Sequence, residues 1–546
     1  MNTRDSCERF TLWFASACVA LTRIPALSRS LWDWDEALFC FAMQDYDVPA
    51  YRPHPPGFPL FLAAARAART LLSLSDFHAL QAITFLSSCA LFPLAVLLAR
   101  SLRFSMRTSM LAALLFVFLP NVWFYGGTGL SDLPAIALTL AAAVLLLRGS
   151  GLAGAIVLGI AIGVRPQAAL FGCAPFLVFA WNERRRWKRV AAAASIVLLI
   201  SLASYLGAAL ASSSVGAYAR SIAVHARMFR EVDAFTNPSR PPVVSLLGDY
   251  LVTPMGGGRL SMFVALLALI GLLHVRGEAR VAIAVAMFAP FALFALFMTD
   301  VNSVHRFSTA YVLLYALLAA HAASLLPRRL DIALIALIAL RYAWWTVPAL
   351  REVHGSDSPP VAARHWVETR QLRGAVDPSM TVFVTAATDP NVYVTEGVTA
   401  AASATMFARP RGRAWEIARH RHFEVSVLPL SDVWTFGDGW YWPEDDGQHA
   451  WRWMGRRSET ILPPLHGRAR LSLKLDSAAP FTDVEVSVDG VVIDRFRCTQ
   501  TTKQWELDAT GKPVHLVLES STSTHVVRDP RELSLRLTRY EWSVPW

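Results

Sequence analysis

The sequence predicts a polytopic α-helical membrane domain of about eleven transmembrane helices, followed by an extracytoplasmic α/β unit and a jelly-roll-like β-sandwich. Three observations predict this. Apolar residues form 54% of the chain against 17% charged, and they come in repeated uninterrupted blocks. Many of those blocks approach the ~20 residues that cross a hydrocarbon core, and no soluble fold needs so many of them. Beyond Val347 they cease, Pro359-Pro360 marks a boundary, and from Gly439 short alternating strands are separated by turn residues.

In order, the blocks place spans near 10–27, 79–98, 110–125, 133–147, 152–164, 168–181, 190–210, 260–273, 281–298, 307–326 and 332–347. The fifth and sixth are short but adjacent, so miscounting both leaves the later topology unchanged. Short cytoplasmic loops collect Arg and Lys. Arg100, Arg103 and Arg107 share one loop, Arg184, Arg185, Arg186, Lys188 and Arg189 the next, Arg276 and Arg280 a third, and Arg328 and Arg329 a fourth. All four fall on one side with Arg4 and Arg9. The N-terminus is therefore expected in the cytoplasm and the C-terminal region outside an inner, cytoplasmic-type membrane. The first block lacks a small-residue cleavage site and reads as a retained signal anchor.

The expected domains are 1–348 in the membrane, 349–438 as the α/β unit and 439–546 as the sandwich. In the α/β unit a helix is expected over 360–372 and strands over 381–385, 391–395 and 423–428. Sandwich strands are expected over 469–475, 484–488, 491–496, 504–507, 515–519 and 533–538, with Asp489-Gly490 as a turn. The aromatic group Trp440, Tyr441, Trp442, Trp451 and Trp453 could stack on sugars, or could plug one end of the sandwich. The net charge of +10 comes almost wholly from Arg, with Lys only at 188, 474, 503 and 512. Enrichment in Arg and Ala fits coding bias better than nucleic-acid binding, which is not expected. Cysteine spacing suggests neither a disulfide framework nor a metal site.

The same topology gathers polar residues on the outer face. Trp32-Asp33-Trp34-Asp35-Glu36 follows the first span, and Tyr51-Arg-Pro-His54-Pro-Pro comes next. Leu130-Ser131-Asp132-Leu133-Pro134 opens a later span, Arg165 ends another, and His305-Arg306 precedes a late one. Carboxylates at a membrane are costly unless they line a wet cavity or do chemistry. Structural alternatives stand beside this reading: acids favour helix N-termini, Ser131-Asp132 can cap a helix, Arg165 and Arg306 can snorkel, and His54 can serve its Pro-rich loop. His225 and His305 fit structural or solvated roles.

A membrane helix, an outer Asp-Glu pair, a His/Lys-Pro element and a later outer Asp opening a helix form an order that resembles the GT-C glycosyltransferases related to protein O-mannosyltransferases and the lipid A aminoarabinose transferase. The resemblance extends over residues 10–347. It implies that Asp35 acts in catalysis beside Glu36 and that Asp132 is the second family acid. It places His54 where relatives carry a Lys before Pro, Arg165 where they carry a Lys, and Arg306 where they carry an Arg. Asp33 is extra, Phe39 stands where many relatives have Tyr, and the outer module lies outside the resemblance.

What the resemblance implies is transfer of a sugar from a polyprenyl-phosphate-linked donor to a hydroxyl of a glycan, lipid or protein acceptor at the bilayer. Such transfer needs a base for the acceptor proton and cations for the leaving phosphate. The expectation is Asp35 as base in an inverting displacement, Asp33 or Glu36 orienting the acceptor or a divalent ion, and Arg165, Arg306 and His54 holding the phosphate. Clustered carboxylates would suit a divalent cation, but no spacing demands one and no cofactor is required. A transporter or flippase, or a non-catalytic sugar-binding assembly protein, remains the alternative.

Overall fold

The structure, a computed structural model, describes residues 3–238, 240–327, 329–356, 381–385, 399–402, 415–419, 424–429, 434–445, 449–525 and 531–544. It divides into two compact units, Met1–Ser356 and Asp357–Trp546.

The first unit is helical. Among the described residues, Asp76–Ser101, Arg184–Ala211, Ala279–Met298 and Leu330–His354 are long and apolar enough to cross a membrane. Shorter apolar helices are Met106–Val117, Asp132–Leu147, Gly151–Val164, Ala168–Asn182, Val243–Val252, Arg259–His274 and Val312–Ala323. The first apolar block lies on Thr3–Arg23, which carries charges at both ends. Two blocks are broken by local chemistry. The chain turns at Phe118 and Leu119 so that Pro120 can open a second helix, Pro120–Tyr125, where its missing N–H costs nothing. The 307–326 block becomes the turn Ser308–Ala310 before Val312–Ala323 begins.

Several outer helices had no apolar run to announce them: Trp34–Gln44, Pro59–Leu72 and Val215–Val232. The unit runs on to Ser356, past the boundary expected at 348. The turn Leu350–His354 keeps it there: His354 Nδ1 lies 2.6 Å from the Ala26 carbonyl, and its own carbonyl accepts from Arg29 N at 2.7 Å.

In the second unit, Thr399–Ala402, Thr381–Thr385, Glu424–Pro429 and Trp415–Arg419 form a four-stranded sheet in that order, with the first pair parallel. The helix expected at 360–372 and the strand at 391–395 lie outside the described residues. Further on there are two five-stranded sheets. One orders Val491–Cys498, Thr482–Val488, Val514–Ser520, Arg457–Leu462 and Thr435–Phe436. The other orders Gln500–Thr510, His466–Ser477, Leu535–Ser543, Ala450–Met454 and Trp440–Asp445. Both contribute to one apolar core, with Leu471, Leu473 and Leu475 from the second and Val484, Val486, Leu516 and Leu518 from the first. Their alternation is the period-two signal of half-buried strands. Asp489 and Gly490 both have positive φ, 47° and 81°, as a two-residue hairpin turn requires.

Candidate active site

Four segments of the helical unit meet around one arginine. Arg306 sits on the short helix Val304–Phe307, which Asn121 anchors by donating Nδ2 to Ser308 Oγ at 2.9 Å and to the His305 carbonyl at 3.2 Å. Ser308 Oγ in turn donates to the Pro254 carbonyl at 2.6 Å. So placed, the Arg306 guanidinium reaches three carboxylates: Asp35 Oδ2 at 2.6 Å, Asp132 Oδ2 at 3.0 Å and Asp33 Oδ1 at 3.5 Å. Asp132 Oδ1 pairs with Arg165 at 3.3 Å, and Arg165 also donates to Ser131 Oγ at 3.0 Å. Asp33, Asp132, Arg165 and Arg306 are all buried.

This geometry shows which local contacts these residues make. Ser131 makes no capping bond for Asp132–Leu147, and the Asp132 carboxylate is spent bridging two guanidiniums. Arg165 and Arg306 point into protein rather than snorkelling to an interface. Asp33 has both roles, since it accepts from Asp35 N at 2.9 Å as the cap of Trp34–Gln44 and also faces Arg306.

Glu36 is placed elsewhere. Its Oε2 accepts from Trp32 N at 2.6 Å and Asp33 N at 2.8 Å, and its Oε1 accepts from Gly129 N. It is fully buried, and burial pushes its carboxyl up to about 7 against the pull of these donors. Glu36 therefore fastens the loop that carries Asp33 and Asp35 to the loop that carries Asp132, and does not join the carboxylates on Arg306. A sequence signal for this existed, because Asp33 and Glu36 have the spacing of a capping box. Gln81 reinforces the seam by donating Nε2 to the carbonyls of Ser28 and Gly127, both at 2.7 Å, and sequence reasoning missed it. Gly127 permits the approach: a Cβ there would lie 1.9 Å from the Ala26 carbonyl oxygen.

His54 comes to the same place. Its Nδ1 lies 3.7 Å from Asp35 Oδ1, and its ring packs on Phe58 at 4.8 Å and Phe39 at 5.9 Å. His225, from Val215–Val232, stands 6.1 Å from it between ring centres. Burial, outweighing the attraction of Asp35, holds the His54 imidazole down at about 4, so it is neutral at physiological pH. Asp35 is affected in the opposite sense to a buried acid left alone: burial raises it, but the Arg306 and Arg165 guanidiniums carry it below the usual carboxylate range. It stays ionised, and the same cations weaken it as a base.

A narrow crevice begins at Asp132 and Arg165 and is walled by Gln167, Phe171, Phe291 and Thr309. It shares Ile136, Phe171 and Ala310 with an apolar slot between Leu140, Met287 and Phe288. Charged and apolar side chains thus adjoin here, in a crevice of about 10 Å³ beside a slot too closely packed to admit water. Among the described residues no group of three or more His, Cys, Asp and Glu side chains is arranged to hold a metal ion. The carboxylates converge on a guanidinium instead.

In the second unit, Trp440 donates Nε1 to Thr460 Oγ1 at 3.0 Å and meets Phe436 edge-on at 5.1 Å, so it packs against the core instead of offering an open platform. Trp451 and Trp453 flank Arg536, whose guanidinium carbon is 5.8 and 5.5 Å from their rings. The side chain of Trp442 lies outside the described residues.

No protein-family model matches this sequence, and no curated protein does. Among solved structures, ArnT from Cupriavidus metallidurans in the apo state aligns with a TM-score of 0.50 at 12% identity, covering 78% of this chain and 99% of that one. The same protein bound to undecaprenyl phosphate aligns at 0.49 and 11% identity, over 77% and 97% of the two chains. The mycobacterial arabinofuranosyltransferase AftD aligns at 0.39 and 12% identity, over 98% and 61%. At such identities the likeness is one of fold: this chain shares the GT-C fold with ArnT, as its outer-loop residues implied.

Proposed function

We propose that this chain is an integral membrane glycosyltransferase that moves a sugar from a polyprenyl-phosphate carrier to a hydroxyl acceptor on the extracytoplasmic face. The observation that carries the reading is the Asp132–Arg165–Arg306 bridge beside a closely packed apolar seam. A lipid phosphate has that same division, an anion attached to a hydrocarbon chain. Arg165, with one carboxylate at 3.3 Å, is the cation that can turn to a phosphate at least cost, and its planar fork suits phosphate oxygens. Support from fold comes through ArnT, which has been solved with undecaprenyl phosphate.

In this reading the acceptor oxygen attacks the anomeric carbon as the phosphate leaves, inverting that centre. Arg165 offsets charge on the leaving oxygen, and proton removal from the acceptor is centred on Asp35. The outward side follows from the arginine-rich loops: a reporter fused after Trp546 is expected to be active outside the cytoplasm, and one at Arg186 inactive there.

The test is transfer from a panel of polyprenyl-phosphate sugars by purified wild type and Asp35→Asn. Asn keeps the shape but cannot support a base, so kcat is expected to fall about 100-fold or more while the variant remains folded. Equal turnover by the two proteins would remove Asp35 from the mechanism, and no transfer from any donor would remove the glycosyltransferase reading.

A further inference from the structure

We propose that His54 is the atom-level base of this site and that Asp35 is its positioning partner, the two forming an Asp–His dyad held by Arg306. The inference rests on the glycosyltransferase reading and deepens it by assigning the proton. Three geometric observations carry it.

First, the Asp35 carboxylate is shared between two neighbours. Oδ2 is occupied by Arg306 at 2.6 Å, which leaves Oδ1 as the oxygen facing His54 Nδ1 at 3.7 Å. A carboxylate on one ring nitrogen fixes the imidazole so that the other, Nε2, is the nitrogen left to meet an acceptor hydroxyl. Second, the ring is held by Phe39 and Phe58, and the chain just after it is fastened where Tyr46 Oη donates to the Gly57 carbonyl at 2.9 Å and Tyr218 Oη donates to the Pro56 carbonyl at 3.0 Å. Third, Nδ1 is buried without a hydrogen-bond partner in this resting arrangement. The 3.7 Å gap to Asp35 is one that closes as charge develops on the ring, since catalytic hydrogen bonds are often long before substrate binds.

The charged and titratable groups facing His54 are Asp35, His225, Arg306 and Arg165. Only Asp35 favours the imidazolium. With the ring neutral at physiological pH, its lone pair is free to take a proton, whereas the Arg306-bound Asp35 carboxylate is the weaker base of the two.

The step balances. The acceptor oxygen forms its bond to the anomeric carbon while the bond from that carbon to the phosphate oxygen breaks, and the electron pair leaves with the phosphate. The acceptor proton passes to His54 Nε2, and the resulting imidazolium sits against the Asp35 carboxylate until the proton is lost to solvent.

The experiment compares wild type, His54→Gln and His54→Lys in transfer assays, with folding of each checked by thermal unfolding in detergent. A base predicts that His54→Gln loses about 100-fold or more in kcat with little change in donor KM, and that added imidazole restores part of the loss. His54→Lys should be as impaired as His54→Gln, because an ammonium keeps a cation but has no free pair near neutral pH. Activity retained in His54→Lys, or a change confined to KM, would overturn the proposal in favour of a phosphate contact.

A second measurement needs no turnover. Carbethoxylation of His54 by diethyl pyrocarbonate, followed by peptide mass spectrometry across pH, should have a lower midpoint in Asp35→Asn, since removing the carboxylate removes what favours the charged ring. An unchanged midpoint would overturn the pairing whether or not a donor has been found. Absence of transfer by wild type, by contrast, sinks the glycosyltransferase reading on which the base role depends.

Discussion

Arg306→Ala is expected to destabilise the helical unit by about 3–5 kcal/mol and to abolish transfer. The size follows from burial. Side-chain exposure is 7% for Arg306, 6% for Asp132, 11% for Asp33 and 18% for Asp35, so these pairs are not the surface kind that contributes little. Removing the guanidinium leaves three acids close together, with Arg165 still paired to Asp132. Thermal unfolding in detergent measures the loss. The diagnostic variant is the double replacement Arg306→Ala with Asp132→Asn, which should regain part of the stability by removing one repelling charge while remaining inactive. Arg306→Lys should recover charge but not the three-way reach, since an ammonium lacks the planar fork. An Arg306→Ala protein with unchanged melting would mean that the carboxylates are solvated and that the cluster is not the keystone described above.

Glu36→Ala is the second large effect, and its cause differs. No charge balance is at stake, but three backbone N–H groups lose their acceptor in a place water does not reach. At about 1–3 kcal/mol for each buried unsatisfied group, the total is about 3 kcal/mol or more. Glu36→Gln should be milder, because one oxygen can still serve Trp32 N and Asp33 N while its amide faces Gly129 N with the wrong polarity. Hydrogen exchange at Trp32, Asp33 and Gly129 reads this directly: protection should fall at all three in the Ala variant and chiefly at Gly129 in the Gln variant. Unchanged protection throughout would show that the seam between the loops is held without Glu36.

The contrast between these residues shows what one sequence can reveal. Apolar blocks announced the apolar helices of the first unit, four of which, among the described residues, are long enough to cross a membrane. Charge sidedness then grouped Asp33, Asp35, Asp132, Arg165 and Arg306, and the structure brings all five together. Partner choice within the group was not legible. Glu36 adjoins Asp35 in the chain yet turns to Gly129, and Arg306 serves three acids rather than waiting free for a phosphate. The place of His54 beside Asp35 was legible but its neutrality was not, because its ionisation depends on burial that includes Phe39 and His225 from other segments. Gln81 had no signal, being a lone amide in an apolar helix until its two carbonyl partners are known. Trp440 was left open between a sugar platform and a plug, because a ring beside other rings reads either way until Thr460 and Phe436 are seen beside it.

The convergence on Arg306 also has a bearing on how the protein is made. Asp33, Asp35 and Asp132 leave the ribosome long before residue 306, so during synthesis the acids of the site exist without the cation that closes them. A chain ended at Met298 would carry the acids and most of the membrane helices but no lock. Its Asp35 should titrate as an acid burdened by burial rather than one relieved by a guanidinium. Completion of the late Val304–Phe307 segment is thus the event that neutralises the three acids, and it makes closure of the cluster a late checkpoint on the integrity of the whole helical unit.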